Sequence, residues 1–134
     1  MLIFSLYFAV NVSLETANIT AVISKPQSPS YAVEGQTLTL EWTYTLDGSI
    51  GSAKFSIVKN GGSELVIARS FKPGMMNFKS EYQERFKLEA TDTRAELRIL
   101  AVQRSDEGTY RLNIEPNGDG SILEEVILVV NCKY

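Results

Sequence analysis

The sequence predicts an all-β domain, either an antiparallel sandwich or a barrel. Three observations lead to this prediction. Apolar and polar residues alternate with a period of two in several short runs, turn signals separate these runs, and the chain of 134 residues is the length of one domain. Apolar residues make up 44% of the chain and charged residues 22%, which is typical of a soluble globular protein.

The alternation is clearest in three runs, 37–44, 95–99 and 109–114. It assigns to the inner face the residues Leu38, Leu40, Trp42, Tyr44, Ala95, Leu97, Ile99, Tyr110, Leu112 and Ile114. Turn signals lie between the runs, at Asp47-Gly48, Asn60-Gly61-Gly62, Pro73-Gly74 and the stretch 116–120. Short strands at this spacing favour an antiparallel sandwich or barrel.

Composition excludes several kinds of chemistry. The chain has no histidine, which rules out histidine-based catalytic triads and histidine-ligated zinc, and its single cysteine, Cys132, allows no intrachain disulfide. A net charge of −3 without a basic block provides no electrostatic footprint for nucleic acid. We expect no catalytic residue, no cofactor, no metal and no small-molecule substrate.

The chain begins with a mostly apolar stretch, residues 2–12, which is too short to cross a bilayer but suits a secretory signal. We expect a signal peptide at 1–17, one domain at 18–131, and a C-terminal stub or linker at 132–134. An extra buried strand is the alternative for the apolar stretch. The sequon Asn18-Ile19-Thr20 offers a glycosylation site at Asn18 if the chain is secreted.

One segment makes the chain recognisable. Residues 97–110 contain Leu97, Ile99, Val102, Asp106, Gly108 and Tyr110 in the pattern L-x-I-x-x-V-x-x-x-D-x-G-x-Y. This segment resembles the E–F region of immunoglobulin domains, in which the tyrosine hydroxyl bonds the nearby main chain as a tyrosine corner. Upstream, residues 35–42 resemble strand B of the same family. The resemblance covers about residues 19–131 and implies an immunoglobulin-like antiparallel β-sandwich with Greek-key connections.

In the family's strand letters, the expected strands are A at 19–24, A′ at 29–33, B at 36–44, C at 52–59, C′ at 64–69, D at 85–89, E at 94–100, F at 108–114 and G at 122–130. The interval 70–84 leaves room for a further strand, C″, which favours a V-type domain. Among family members, the chain looks most like V-type domains of divergent invertebrate surface receptors that lack the usual cysteines.

The chain departs from the family at the inter-sheet disulfide. Trp42 occupies the strand B cysteine position and Leu112 the strand F position. Strand C has no tryptophan, and Phe55 or Ile57 fills that core position. We infer that the tryptophan has moved from strand C to strand B and fills the space of the missing sulphur atoms. Trp42, Leu112, Tyr110, Phe55, Ile57, Leu97 and Ile99 are therefore the expected core.

The resemblance also implies an ion pair between Arg85, at the start of strand D, and Asp106. Such a pair is structural, and burial would make it stronger than a surface bridge. Cys132 lies beyond strand G, where it is a free thiol, an interchain disulfide or the start of a further domain.

Two functions remain, both by family analogy. The first is an extracellular recognition module in adhesion, self-recognition or immune-type signalling, which binds a protein partner, including a second copy of itself. The second is a structural spacer within a larger ectodomain, whose membrane attachment would lie outside this chain. The expected partner face lies on strands G, F, C and C′ and consists of Lys54, Ser56, Val58, Arg111, Asn113, Ile127 and Val129. Its weakest step is the register of strand G, since residues 126–130 are all apolar.

Overall fold

The computed structural model describes residues 19–59, 61–72 and 75–132. The expected signal peptide and Asn18 lie outside these residues. Ten strands are described, in the order β1 (Ala21–Ser24), β2 (Ser30–Val33), β3 (Leu38–Thr45), β4 (Ile50–Val58), β5 (Glu64–Lys72), β6 (Met75–Phe78), β7 (Phe86–Ala90), β8 (Arg94–Ile99), β9 (Gly108–Pro116) and β10 (Ile122–Asn131). Short 3-10 turns lie at Ser80–Tyr82 and Arg104–Asp106.

The strands form two sheets that pack face to face. One has four strands in the order β1-β3-β8-β7, and the other has six in the order β2-β10-β9-β4-β5-β6. Strand β2 runs parallel to β10, and the other pairings among these strands are antiparallel. The predicted all-β sandwich is confirmed, and the extra strand expected within 70–84 is β6.

The core lies between the sheets and consists of the inward-facing residues that the alternation in the sequence predicts. The seven expected core residues are each no more than 1% exposed: Trp42, Leu112, Tyr110, Phe55, Ile57, Leu97 and Ile99. Phe55 and Ile57 both lie on β4, which is strand C in the family's letters, and both are buried in the core. On β10, Val126, Leu128 and Val130 point inward, which fixes the register of that strand.

Trp42 lies at the centre of this core. Its ring meets Phe55 of the opposite sheet edge to face, with ring centroids 6.3 Å apart at 61°. The indole is 1% exposed, and its Nε1 has no hydrogen-bond partner among the described residues. A buried donor without a partner costs about 1–3 kcal/mol, so the gain from burying the ring is partly offset.

The crossing from β8 to β9 is held by Asp106. Arg85 donates two hydrogen bonds to its carboxylate, at 3.0 and 2.8 Å, and the Gln103 backbone N–H donates a third at 2.8 Å. The Tyr110 hydroxyl donates to the Asp106 carbonyl oxygen at 2.5 Å. Asp106 is 5% exposed and its carboxylate accepts three hydrogen bonds, whereas the Arg85 side chain is 30% exposed, so the pair is buried on the carboxylate side only. Burial raises the pKa of Tyr110, and the Asp106 carboxylate raises it further.

Gly108 opens β9 where two strands approach closely. A Cβ atom at this position would lie 3.0 Å from the Val58 carbonyl oxygen and 3.1 Å from the Ile57 side chain. A larger residue would therefore push β9 away from β4, which explains the glycine of the E–F motif.

We expect thermal unfolding of the monomer to show the same midpoint with and without reductant. Cys132 is an exposed free thiol and the chain has no second cysteine, so no intrachain crosslink contributes to stability. Differential scanning calorimetry of the purified monomer is the measurement. A midpoint that falls in reductant would contradict this expectation.

We expect Trp42→Ala to destabilise the fold by about 3–5 kcal/mol, because it leaves a cavity between the sheets. Trp42→Phe is the matched control. It keeps an aromatic ring and removes the unpaired N–H, so we expect a cost of no more than about 1 kcal/mol. Denaturant titration measures both, and similar costs for the two variants would show that Trp42 does not stabilise the core in this way.

Candidate functional site

The outward side chains of five adjacent strands form one surface, which we call the outer face. It consists of Tyr31 on β2, Leu123, Glu125, Ile127 and Val129 on β10, Thr109, Arg111, Asn113 and Glu115 on β9, Ser52, Lys54, Ser56 and Val58 on β4, and Glu64, Val66, Arg69 and Phe71 on β5. Cross-strand pairing arranges them in rows. The middle row contains Val66, Ser56, Arg111 and Glu125.

A charged network crosses the middle of the outer face. Glu64 accepts a hydrogen bond from the Ser56 hydroxyl at 2.6 Å, and its carboxylate also lies 3.4 Å from Lys54 Nζ. Arg111 Nη1 lies 3.7 Å from Glu64, and Arg111 Nε donates to Glu125. Two cations and two anions thus balance across β5, β4, β9 and β10.

Ser56 differs from the sequence prediction. It was expected to be available to a partner, but it is only 1% exposed. The register between β4 and β5 shifts after Phe55, and Glu64 hydrogen-bonds the Ser56 hydroxyl. Ser56 therefore points to the outer face but is covered, and it acts by positioning Glu64. The expectation that the Ser56 side chain is exposed on the partner face is wrong for this reason.

Apolar side chains lie on both sides of the charged network. Ile127 is 48% exposed and Val129 is half-buried. Tyr31 of β2, opposite Val129, is 62% exposed, and Leu123, at the other end of β10, is 64% exposed. Val58 is half-buried in the same row as Ile127. Several exposed apolar residues on one sheet face are typical of a contact surface.

A hollow of 150 Å³ lies on the same face beside Phe71. It is lined by Ser52, Ala53, Lys54, Arg69, Phe71, Asn113 and Glu115. Lys54 and Asn113, expected to be on the partner face, thus border a concave part of it.

Sequence reasoning did not identify Glu64, Arg69, Phe71, Leu123 or Tyr31 as part of this surface. A signal was available for three of them. Arg69 and Phe71 have the two-residue spacing of one strand face, and Leu123 is in phase with Glu125 and Ile127. Glu64 and Tyr31 reach the surface through cross-strand pairing, which one sequence does not reveal.

Thr20, the threonine of the sequon that begins at Asn18, has a structural role. The Thr20 hydroxyl donates to the Asp119 carbonyl oxygen at 2.7 Å and accepts from the Asp47 backbone N–H at 2.9 Å. It therefore ties the start of the described chain to two turns at one end of the sandwich.

The environment of Glu64 lowers the pKa of its carboxyl group. The hydrogen bond from Ser56 is the largest cause, and the charges of Lys54 and Arg111 lower the pKa further, against partial desolvation. Because the pKa is lower in the folded chain, this contribution to stability is present above the ordinary glutamate pKa. It is lost as the pH falls through the lowered value.

We expect the Glu64 carboxyl to titrate below the ordinary glutamate range, and Ser56→Ala to raise its pKa toward that range. Carboxyl NMR titration is the measurement. Thr39→Ala, on the opposite sheet, is the control and should leave the Glu64 titration unchanged. The effect on stability should not exceed about 1 kcal/mol, because Glu64 remains largely solvated. An unchanged Glu64 pKa in Ser56→Ala would contradict this account.

The part of the chain that the structure describes contains no helix long and apolar enough to cross a membrane. Within the same residues, no group of three or more histidine, cysteine, aspartate and glutamate side chains could hold a metal ion.

Comparison with known proteins identifies the fold. The chain is similar to a solved structure of murine CRIg, with a TM-score of 0.65 and 14% identity over 87% of this chain and 99% of the other. It is also similar to a crystal structure of a chicken TCR, with a TM-score of 0.67 and 15% identity over 82% of this chain and 50% of the other. None of the curated proteins it was compared with matches its sequence.

The family model of the immunoglobulin V-set domain matches residues 25–131, most of the chain. V-set domains are typically non-enzymatic binding modules of extracellular or cell-surface proteins. The chain belongs to the immunoglobulin V-set family.

Proposed function

We propose that this chain is an extracellular protein-recognition module that binds a protein partner through the outer face. Its V-set membership supports a receptor-type recognition role. Within this proposal the chain is secreted or displayed on a cell surface, residues 1–17 are its signal peptide, and Asn18 carries a glycan. A second copy of the chain is one candidate partner.

The observation that carries the proposal is the contrast between the two outward faces of the sandwich. Ile127, Leu123 and Tyr31 are 48–64% exposed beside the charged network of the six-stranded sheet. On the four-stranded sheet, Arg94 of β8 instead pairs with Glu41, Glu89 and Glu96 across the middle of the outward surface, and the exposed Ile23 lies at its edge, on β1. A sheet face in contact with water normally carries polar residues, so the face with apolar residues is the one we assign to a partner.

The composition of the outer face also suits a protein partner. Aromatic residues and arginine are enriched in protein interfaces. Tyr31, Phe71, Arg69 and Arg111 supply these residue types. The charged network holds Arg111 and Lys54 in place, so fewer rotamers are lost on binding.

The double variant Ile127→Lys/Val129→Lys should abolish partner binding, because it places two charges in the apolar part of the outer face. The matched control, Thr37→Lys/Thr39→Lys, adds the same charges at two exposed positions, one just before β3 and one on β3 of the opposite sheet. The chain, made multivalent, is tested against a panel of extracellular domains that includes the chain itself. Sedimentation velocity measures self-association of each variant after circular dichroism has shown that it is folded.

The expected result is binding by the wild-type chain and the control, and loss of binding by the double variant. Normal partner binding by the folded double variant would show that the outer face is not the site. A wild-type chain that neither self-associates nor binds any member of the panel would favour the alternative, a spacer domain.

A further inference from the structure

Arg69 occupies a distinct position on the outer face. It lines the hollow of 150 Å³ beside Phe71 and also a second hollow of 360 Å³ toward the sheet edge, which is lined by Val66, Asn77, Phe78 and Lys79 as well. The side chain therefore stands between two concave areas, each of which contains a phenylalanine. An inference about Arg69 rests on the proposed function, because it concerns the same face.

The two arginines of the outer face have different surroundings. Arg111 forms ion pairs with both Glu125 and Glu64. Arg69 forms no ion pair with any residue that the structure describes, and its guanidinium lies 5.6 Å from the centre of the Phe71 ring. Stacking on an aromatic ring restrains the guanidinium but leaves its N–H donors unused by a carboxylate.

The charges around Arg69 favour an anionic ligand. Lys79 adds a second cation to the larger hollow, and none of the described residues that line it is acidic. In the smaller hollow, Lys54 is balanced by Glu64, and Glu115 lies beyond ion-pair distance of Arg69. The chain as a whole carries a net charge of −3, so a cationic patch next to two phenylalanines contrasts with the rest of the molecule.

We propose that Arg69 determines partner specificity by receiving the carboxylate of an acidic side chain on a protein segment that lies across β5. The guanidinium makes the paired N–H···O contacts that a carboxylate accepts. Phe71 and Phe78, one in each hollow, contact apolar residues that flank the acidic residue. We therefore expect a partner segment in which acidic and apolar residues alternate.

The test uses immobilised synthetic peptides in which Glu alternates with Phe or Leu, each paired with the same peptide carrying Gln in place of Glu. The wild-type chain, Arg69→Gln, Arg69→Lys and the control Arg98→Gln are compared. Arg98 lies on the opposite sheet and is exposed, so the control removes the same charge elsewhere. A fluorescent heparin fragment is measured in parallel.

We expect wild type and Arg98→Gln to bind the acidic peptides and not their amide counterparts. Arg69→Gln should weaken this binding by at least about tenfold, the size of a lost charge-assisted contact. The peptide affinity of Arg69→Lys should lie between those of the wild-type chain and Arg69→Gln, because an ammonium group keeps the charge but cannot make the paired contact. The proposal is overturned if the wild-type chain binds no acidic peptide, or binds both members of a peptide pair equally. It is also overturned if Arg98→Gln weakens peptide binding as much as Arg69→Gln does. Heparin binding that depends on Arg69, without peptide binding, would also overturn it.

The proposal and the proposed function fail separately. If Ile127→Lys/Val129→Lys abolishes binding to a protein partner and Arg69→Gln does not, the outer face is the interface and only the role of Arg69 is wrong. If Arg69 governs peptide binding while the double variant leaves protein binding intact, the apolar part of the outer face on β10 is not the protein interface, and peptide binding is confined to Arg69 and the two hollows on β5.

Discussion

The packing of Trp42 between the two sheets is the interaction on which the rest of the structure depends. In a disulfide-linked sandwich, one covalent bond fixes the distance between the sheets. Here the distance is set by an indole that meets Phe55 edge to face, with Leu112 also fully buried. Apolar packing is not directional, so the distance between the sheets depends on the combined fit of many side chains. The orphaned Nε1 shows that the replacement fills volume and leaves a donor unsatisfied.

The second constraint is the corner at Asp106, which connects the core to the outer face. Arg85, Gln103 and Tyr110 hold this residue by its carboxylate and its carbonyl oxygen. The corner fixes the point at which β9 begins, and Gly108 lets that strand approach β4 closely. Because side chains alternate along a strand, fixing Tyr110 inward also fixes Arg111 outward. The position of the charged network is thus a consequence of how the core is anchored.

Most of the fold could be predicted from the sequence because it is encoded locally. Alternation locates β3, β8 and β9, and the E–F motif indicates the corner and its tyrosine bond. The outer face was only partly predictable, since it depends on register. Ser56 was placed on the correct side of β4, but its burial follows from Glu64, which reaches it across a register shift between β4 and β5. One sequence contains no signal for that shift, nor for the proximity of Arg111 to Glu64, 47 positions earlier in the chain.

The outer face combines two different uses of charge. Arg111 and Lys54 are paired, so they stabilise the surface and add little new Coulombic attraction for a partner. Arg69 stacks on the Phe71 ring and forms no ion pair among the described residues, so its charge remains available while part of its rotamer freedom is already lost. Exposed apolar groups such as Ile127 and Leu123 supply contact area that does not distinguish one partner from another. Specificity must then come from a polar group that a wrong partner would leave unpaired. On the part of the outer face that the structure describes, the unpaired Arg69 meets that requirement, whereas the neutral network of Arg111 does not.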